Sequence, residues 1–147
     1  MTAQPKFPLD RPAWMGLMSR AAPARLAELF PDLPEHNFLR VPEVGAVMVQ
    51  GRIGGTGAPF NLGEMTVTRC VLRLSSGAVG HAHVQGRDKA HAIRAAVLDA
   101  LLQSDSSLQD SVLAPLQTEE TARRGLRAAK AAATKVEFFT LVRGEDQ

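Results

Sequence analysis

Hydrophobic residues recur at helical intervals near the start of the chain. Between about Arg11 and Phe30 they are Trp14, Leu17, Met18, Leu26, Leu29 and Phe30. This spacing predicts two short helices with a break near Pro23, the second closed by Pro31 and Pro34. Their apolar side would pack on this domain or on a partner subunit.

The middle of the chain is rich in strand-forming residues. It predicts four strands, over Phe38–Val41, Gly45–Ile53, Met65–Leu74 and Ala78–Gln85. Pro42-Glu43 ends the first strand, and Ser75-Ser76-Gly77 joins the last two as an antiparallel hairpin.

Alternation along the third strand separates two faces. One carries Val67, Arg69, Val71 and Arg73, and the other Thr66, Thr68, Cys70, Leu72 and Leu74. The first face is half polar, so we expect it to meet solvent or a partner.

The rest of the chain is mostly helical. Asp88 is expected to cap a helix running to about Ser104, with a buried stripe of Ala90, Ile93, Val97, Ala100 and Leu101. Residues 107–113 would add a turn or two before Pro115.

Thr118 is then expected to cap a second long helix, with the i,i+4 pairs Glu119/Arg123 and Glu120/Arg124. Val136–Arg143 has the composition of a last strand or extended segment. The whole pattern predicts an α+β fold, an antiparallel β-sheet of about four strands packed against helices. Residues 1–10 would form a flexible N-terminus, and residues 11–147 a single domain.

Composition narrows the class of protein. With 147 residues, 45% apolar and 22% charged, the chain has the profile of one soluble domain. No apolar run approaches the roughly 20 residues of a membrane helix, and no secretory signal is visible. Cys70 is the single cysteine, which fits a reducing compartment, so we expect a cytoplasmic protein.

Arginine dominates the positive charge. The 17 basic residues are mainly arginines, and with 15 acidic residues the net charge is only +2. That bias suits carboxylate or oxyanion recognition and interface ion pairs. No basic block resembles a nucleic-acid-binding tail.

Two octets nearly repeat each other: Gly45-Ala-Val-Met-Val-Gln-Gly-Arg52 and Gly80-His-Ala-His-Val-Gln-Gly-Arg87. On neighbouring strands, Arg52 and Arg87 and their loop backbones would converge on one anionic site. The alternative is two ordinary strand ends.

Glycines follow the first octet, in a predicted loop over residues 51–63. They are Gly51, Gly54, Gly55, Gly57 and Gly63. Their amides would suit a phosphate, but a phosphate-loop motif is absent, and Pro59-Phe60 favours an interaction loop.

The second octet ends at a helix start, where Gln85, Gly86, Arg87 and Lys89 are candidates for anion binding or for a subunit interface. Asp88, however, is expected to occupy the cap and to repel a phosphate.

His81 and His83 point to one face of a strand and are weak candidates for a metal. A third ligand is not evident, because Cys70 points to the opposite face of its own strand and His91 is expected to face solvent. We therefore expect no metal, and histidines at the surface or at an interface. The stripe of Arg123, Arg127 and Lys130 is expected to be a solvated face. No catalytic triad or pair of acid/base carboxylates is apparent.

Four segments in register resemble one known family over nearly the whole chain. They are Val49-Gln-Gly-Arg-Ile-Gly-Gly-Thr-Gly57, Gly63-Glu-Met-Thr-Val-Thr-Arg69, Val84-Gln-Gly-Arg-Asp-Lys-Ala-His-Ala92 and Glu137-Phe-Phe-Thr-Leu-Val-Arg-Gly144. The family is the G subunit of bacterial carbon–phosphorus lyase. His81 and His83 lie outside the recognised pattern.

The resemblance implies a cytoplasmic complex with the H, I and J subunits, acting functionally with L, and self-association within the complex. Such a complex makes α-D-ribose 1-methylphosphonate 5-triphosphate from ATP and methylphosphonate and releases adenine. It implies an assisting subunit with no catalytic residues, with ATP as substrate of the complex and no cofactor bound by this chain alone. Membrane and nucleic-acid partners are not expected. The alternative is a stand-alone protein that binds an anion or nucleotide through Arg52, Arg87 and Lys89.

Overall fold

Within the residues that the structure describes, a three-stranded antiparallel sheet with one long hairpin and four α-helices make up the fold. The computed structural model describes residues 8–136. Helix α1 is Arg11–Arg20, helix α2 Pro23–Leu29, helix α3 Lys89–Leu102 and helix α4 Ala114–Ala133. Strands β1 (His36–Arg52), β2 (Pro59–Leu74) and β3 (Val79–Gln85) form one sheet in the order β1-β2-β3. The predicted α+β class is confirmed.

The described sheet has three strands, where about four were expected. The segments predicted as Phe38–Val41 and Gly45–Ile53 are both parts of β1, which continues through Pro42. One register shift lies before this proline, between Phe38 and Arg40, and a second spans it, between Arg40 and Glu43. Because β1 is an edge strand, the missing N–H of Pro42 is tolerated there.

The predicted loop over residues 51–63 is also mostly strand. A single 3₁₀ turn, Ile53–Gly55, follows β1, and β2 begins at Pro59. The glycines therefore make a tight turn at the end of a hairpin instead of a long loop.

At the base of the sheet the alternation predicts the burial of most residues of β2 correctly. Thr68, Cys70 and Leu72 are fully buried, whereas Arg69 and Arg73 are exposed. Val67 is the exception, since it was expected on the face that meets solvent or a partner and is buried. Helix α3 covers the buried face, and Gly80 of β3 allows a very close approach. A Cβ at Gly80 would collide with the carbonyl oxygen of Ala96.

The core lies between this face and helices α1, α2 and α3. Its largest fully buried apolar side chains are Met18, Leu26, Leu72, Leu98 and Leu113. The two N-terminal helices are confirmed, and Leu26 of α2 has no exposed surface. Among residues 8–136, no helix is long and apolar enough to cross a membrane.

The N-terminal residues that the structure describes are tied to the core. Leu9 is buried, and Gln109 both accepts from its N–H at 3.0 Å and donates to its carbonyl at 2.9 Å. The Asp10 side chain caps α1 by accepting from Ala13 N–H. The segment expected to be loose, residues 1–10, thus includes two residues held by the fold.

Helix α3 begins after Asp88, as predicted, because the Asp88 carboxylate accepts from His91 N–H at 3.0 Å. Its buried side is broader than the expected stripe. Ala90 is exposed, and Ile93 and Leu101 are only half-buried, whereas nine other residues are buried. Such a helix lies inside the protein and not along its surface.

Helix α4 starts earlier than predicted. It begins at Ala114 with Pro115 in its first turn, directly after a π-helical turn, Gln109–Leu113. Thr118 lies inside the helix and donates to the Ala114 carbonyl at 3.0 Å, so it is not the cap. The predicted strand over Val136–Arg143 lies outside the described residues beyond Val136.

One of the two ion pairs expected along α4 forms. Glu120 accepts from Arg124 at 3.3 Å, as predicted. Glu119 instead accepts from Arg25 of α2 at 2.8 Å. The ion pair of Glu119 therefore joins α4 to α2 and does not lie along α4.

Candidate subunit interface

The most exposed apolar part of the described chain is the outer half of the β1–β2 hairpin. Strand β3 pairs with β2 only from Val67 to Arg73, so residues 46–66 extend beyond it. We call this segment the arm. None of its residues is buried, and Arg52 and Glu64 are its only charged residues. A ribbon of two strands with so little charge is marginal in water without further packing.

One face of the arm is continuously apolar. Val47 lies opposite Met65, and Gly51 opposite Phe60. A register shift between Val49 and Gln50 leaves one extra residue in β2, which places Phe60 on this face in the position that Asn61 would otherwise take. A Cβ on Gly51 would lie 3.4 Å from the Phe60 ring and 3.9 Å from the Leu62 Cβ. Phe60 and Leu62 are 41% and 68% exposed, which makes this face a candidate contact surface.

The turn at the end of the arm explains three of the glycines that follow the first octet. Gly54 and Gly55 have φ angles of 60° and 81°, which favour glycine. A Cβ at Gly57 would lie 2.6 Å from the Ile53 carbonyl oxygen. Arg52 closes the turn by donating to the Gly57 carbonyl at 3.1 Å. These residues have a structural role in shaping the arm.

The second octet makes a different turn, from β3 into α3. Gly86 has a φ of 90°, and its N–H donates to the Thr66 carbonyl at 2.9 Å. Gln85, Arg87 and Lys89 are exposed, with no hydrogen bond or ion pair from their side chains within residues 8–136. Asp88 occupies the helix start, as expected, and so competes with any anion there.

The two octets do not converge within one chain. Arg52 is paired with Pro59, and Gly86, the residue before Arg87, bonds to Thr66, so seven residues of β2 separate the two turns. At the rise of an extended strand this is about 23 Å. The hypothesis of one anionic site built by Arg52 and Arg87 of the same molecule is therefore wrong. A role for either arginine in anion or partner contact stays a prediction.

His81 and His83 are exposed on the outer face of β3, opposite Val71 and Arg69. His91, by contrast, is buried, which corrects the expectation that it faces solvent. Its Nε2 lies 2.8 Å from the Met18 carbonyl oxygen, and burial lowers its pKa below the ordinary value of 6.5. Residues 8–136 contain no cluster of three His, Cys, Asp or Glu residues suited to a metal.

Cys70 lies on the buried face of β2, as predicted. Burial raises the pKa of its thiol to about 11, so the thiol stays protonated at neutral pH. It is a core residue and not a nucleophile.

Asp99 of α3 is a buried carboxylate with no exposed surface, and none of the sequence motifs pointed to it. It accepts from Arg11 at 3.0 and 2.7 Å, from Trp14 Nε1 at 2.9 Å and from His81 N–H at 2.9 Å. The last bond occupies the open edge of β3. In the sequence, the burial of Asp99 is indicated by its position as a single acid within the apolar run Val97-Leu98-Asp99-Ala100.

The geometry describes a class of protein: a small α+β domain whose core is closed and whose arm presents an uncharged apolar face. Such a surface is typical of a subunit that contacts other chains. A sequence profile of the family described as "Phosphonate metabolism protein PhnG" matches residues 9–144. The chain belongs to this family.

A relative from Rhizobium meliloti (strain 1021) is named alpha-D-ribose 1-methylphosphonate 5-triphosphate synthase subunit PhnG. It is 48% identical over 141 residues, an alignment that covers 90% of this chain and 88% of the relative. The family expected from the four sequence segments is confirmed.

Proposed function

We propose that this chain is the G subunit of a complex that makes α-D-ribose 1-methylphosphonate 5-triphosphate from ATP and methylphosphonate, with release of adenine. Its partners would be the H, I and J subunits, with L acting alongside them in the cytoplasm. Family membership and the name of the R. meliloti relative support the pathway. ATP is then a substrate of the assembly, and this chain by itself holds no cofactor.

The observation that carries the proposal is the arm. Its apolar face, with Phe60 and Leu62 largely exposed, has no covering element within residues 8–136. The face is two strands wide and therefore small beside the roughly 800 Å² per partner of a stable interface. A partner that also encloses the edges and turn of the arm would provide the missing area.

Within the proposed complex this chain would assist without performing the chemistry. In the transfer, a phosphonate oxygen attacks the anomeric carbon of the ATP ribose as adenine leaves, which requires positioning and protonation of the base. The carboxylates buried within residues 8–136, Asp99 and Glu120, are already engaged by arginines. Its contribution would be to organise partner subunits through the arm.

The test is co-production of the tagged chain with the other subunits. The double variant Phe60→Lys/Leu62→Lys places charge on the apolar face of the arm. Ser106→Lys/Ser111→Lys adds the same charge at two exposed positions outside the arm. We expect the arm variant to lose the partner subunits and adenine release, while the control retains both. Full assembly of the arm variant, measured by size-exclusion chromatography, would remove the observation on which the proposal depends.

A stand-alone protein that binds an anion or nucleotide through Arg52, Arg87 and Lys89 is the alternative function. The separation of the two octets and the capping by Asp88 both weigh against it. Calorimetric titration of the purified chain with ATP distinguishes the two functions. Micromolar binding without partners, lost in Arg87→Ala, would favour the alternative.

A further inference from the structure

Along one side of helix α4, residues that pack on the core are followed by exposed basic residues. In its first turns this side packs on the core through Leu116 and Glu120, the two buried residues of the helix. Continuing at the same helical spacing, the next positions are Arg123, Arg127 and Lys130, all of them exposed. The side of the helix that faces the core thus becomes a basic stripe where the helix leaves the core. We call residues 121–133 the free end of α4.

The anchoring of α4 fixes the direction of its free end. The Glu120 carboxylate accepts from Arg20 of α1 at 2.6 Å, and this bond lowers its pKa below the ordinary value of 4.5. Arg124 and Arg123 lie 3.3 and 3.9 Å from the same carboxylate. Glu119 is tied to Arg25 of α2. The free end therefore projects from a fixed base.

The free end concentrates positive charge on a helix of mostly good helix-forming residues. The sequence from Thr121 to Val136 has five basic residues and no acidic one. Arg123 and Arg127 are four residues apart, and like charges at this spacing destabilise a helix by about 0.2–0.5 kcal/mol. Gly125 faces open space, since a Cβ there would meet nothing within 4 Å, and a helical glycine costs about 1 kcal/mol relative to alanine. An opposing acidic surface would offset the charge repulsion.

We propose that the free end of α4 docks in an acidic groove of another protein subunit, through Arg127 and Lys130 together with Leu126. The inference rests on the proposed function, since it requires an assembly. Leu126 is 60% exposed beside the basic stripe, and an apolar anchor next to cations is typical of a helix bound in a protein groove. The stripe also has fewer cations than the roughly 6–10 phosphate contacts of a nucleic-acid-binding protein.

The test compares two double variants with the same change of net charge. Arg127→Glu/Lys130→Glu reverses the free end and keeps good helix-forming residues. Arg40→Glu/Arg73→Glu reverses two exposed arginines of the sheet that form no hydrogen bond or ion pair within residues 8–136. Affinity for the separately purified H, I and J subunits is measured by calorimetry at 50 and 300 mM salt. Leu126→Ala reports on the apolar anchor separately.

We expect the free-end variant to bind one subunit at least about tenfold more weakly at low salt, and the control to bind as the wild type does. The wild-type affinity should fall with salt, and that dependence should be reduced in the free-end variant. Equal binding by the free-end variant and the wild type overturns the inference and leaves the proposed function intact. Failure of the wild type to bind any subunit overturns the proposed function itself. A free-end-dependent affinity for RNA or for a second copy of the chain, without one for a subunit, also overturns the inference.

Discussion

Strand β2 runs through two regions in which apolar residues differ in how far they are buried. At the base of the sheet, Cys70 and Leu72 have no exposed surface, because α3 and its neighbours cover them. In the arm, Phe60 and Leu62 of the same strand are 41% and 68% exposed. The difference does not come from hydrophobicity but from which elements of the chain are available to cover each residue. At the base, the apolar residues are covered by helices of the same chain, whereas in the arm they need a partner to cover them.

The largest effect is expected when Asp99 is replaced in the closed region, the part of the molecule that the chain covers by itself. Asp99→Ala would leave Trp14 Nε1, His81 N–H and the Arg11 guanidinium without their acceptor. A buried donor left without its acceptor costs about 1–3 kcal/mol, and two such donors remain, Trp14 Nε1 and His81 N–H. Because Arg11 is 42% exposed and can be hydrated, we expect a total loss of about 2–5 kcal/mol in the free energy of unfolding. Urea denaturation of the purified chain measures it. Glu64→Ala, in the arm, is the control and should change little. A loss below about 1 kcal/mol would show that Asp99 does not hold the edge of β3.

A pair of glycines gives the next largest contrast. Gly80→Ala would push a methyl group against the Ala96 carbonyl, so α3 must move away from β3. We expect a loss of about 2–3 kcal/mol, in the range of overpacked cores. Gly63→Ala in the arm has nothing within 4 Å of the new methyl group and should be nearly neutral. Thermal unfolding followed by circular dichroism measures both, and equal effects would contradict the contrast.

These two regions also differ in how far the sequence predicts them. Alternation along β2 correctly separates Cys70 and Leu72 from Arg69 and Arg73, and Asp88 correctly marks the start of α3. Both are local features, a period of two and a capping side chain, which a sequence displays directly.

The outer part of the arm, residues 51–63, was predicted as a loop because Gly51, Gly54, Gly55, Gly57 and Gly63 together are typical of irregular backbone. Only three of them, Gly54, Gly55 and Gly57, make the turn, and β1 and β2 extend on either side of it. Strand pairing over this length is a property of register, and composition does not show it. For the same reason the distance between Arg52 and Arg87 could not be read from their matching octets.

A smaller effect is expected from pH, through His91 of the closed region. Burial lowers the pKa of this imidazole below 6.5, although its contact with the Met18 carbonyl opposes the shift. The unfolded chain therefore takes up a proton at a higher pH than the folded one. The contribution of His91 to stability is fully present above pH 6.5 and is lost progressively as the pH falls below it.

Urea denaturation at pH 7.5 and 5.5 should show this loss, and NMR titration assigns it to His91. The pKa of Glu120 is lowered from 4.5, so that carboxylate titrates below this window and does not confuse the result. A His91 signal that titrates at or above pH 6.5 in the folded protein would contradict the burial argument.

The smallest effect on stability is expected where the exposed apolar surface is greatest. Leu62→Ser removes a large apolar side chain that is 68% exposed in the isolated chain, so the free energy of unfolding should change by less than about 0.5 kcal/mol. Leu72→Ala, at a fully buried position of the same strand, should cost about 2–5 kcal/mol. The two effects should become more similar when partner subunits are present, because Leu62 then becomes buried as well, while Leu72 remains buried. Hydrogen exchange at Asn61 and Gly63 with and without the partner subunits measures that change directly. Exchange that is equally fast in both states would show that the arm stays uncovered in the assembly.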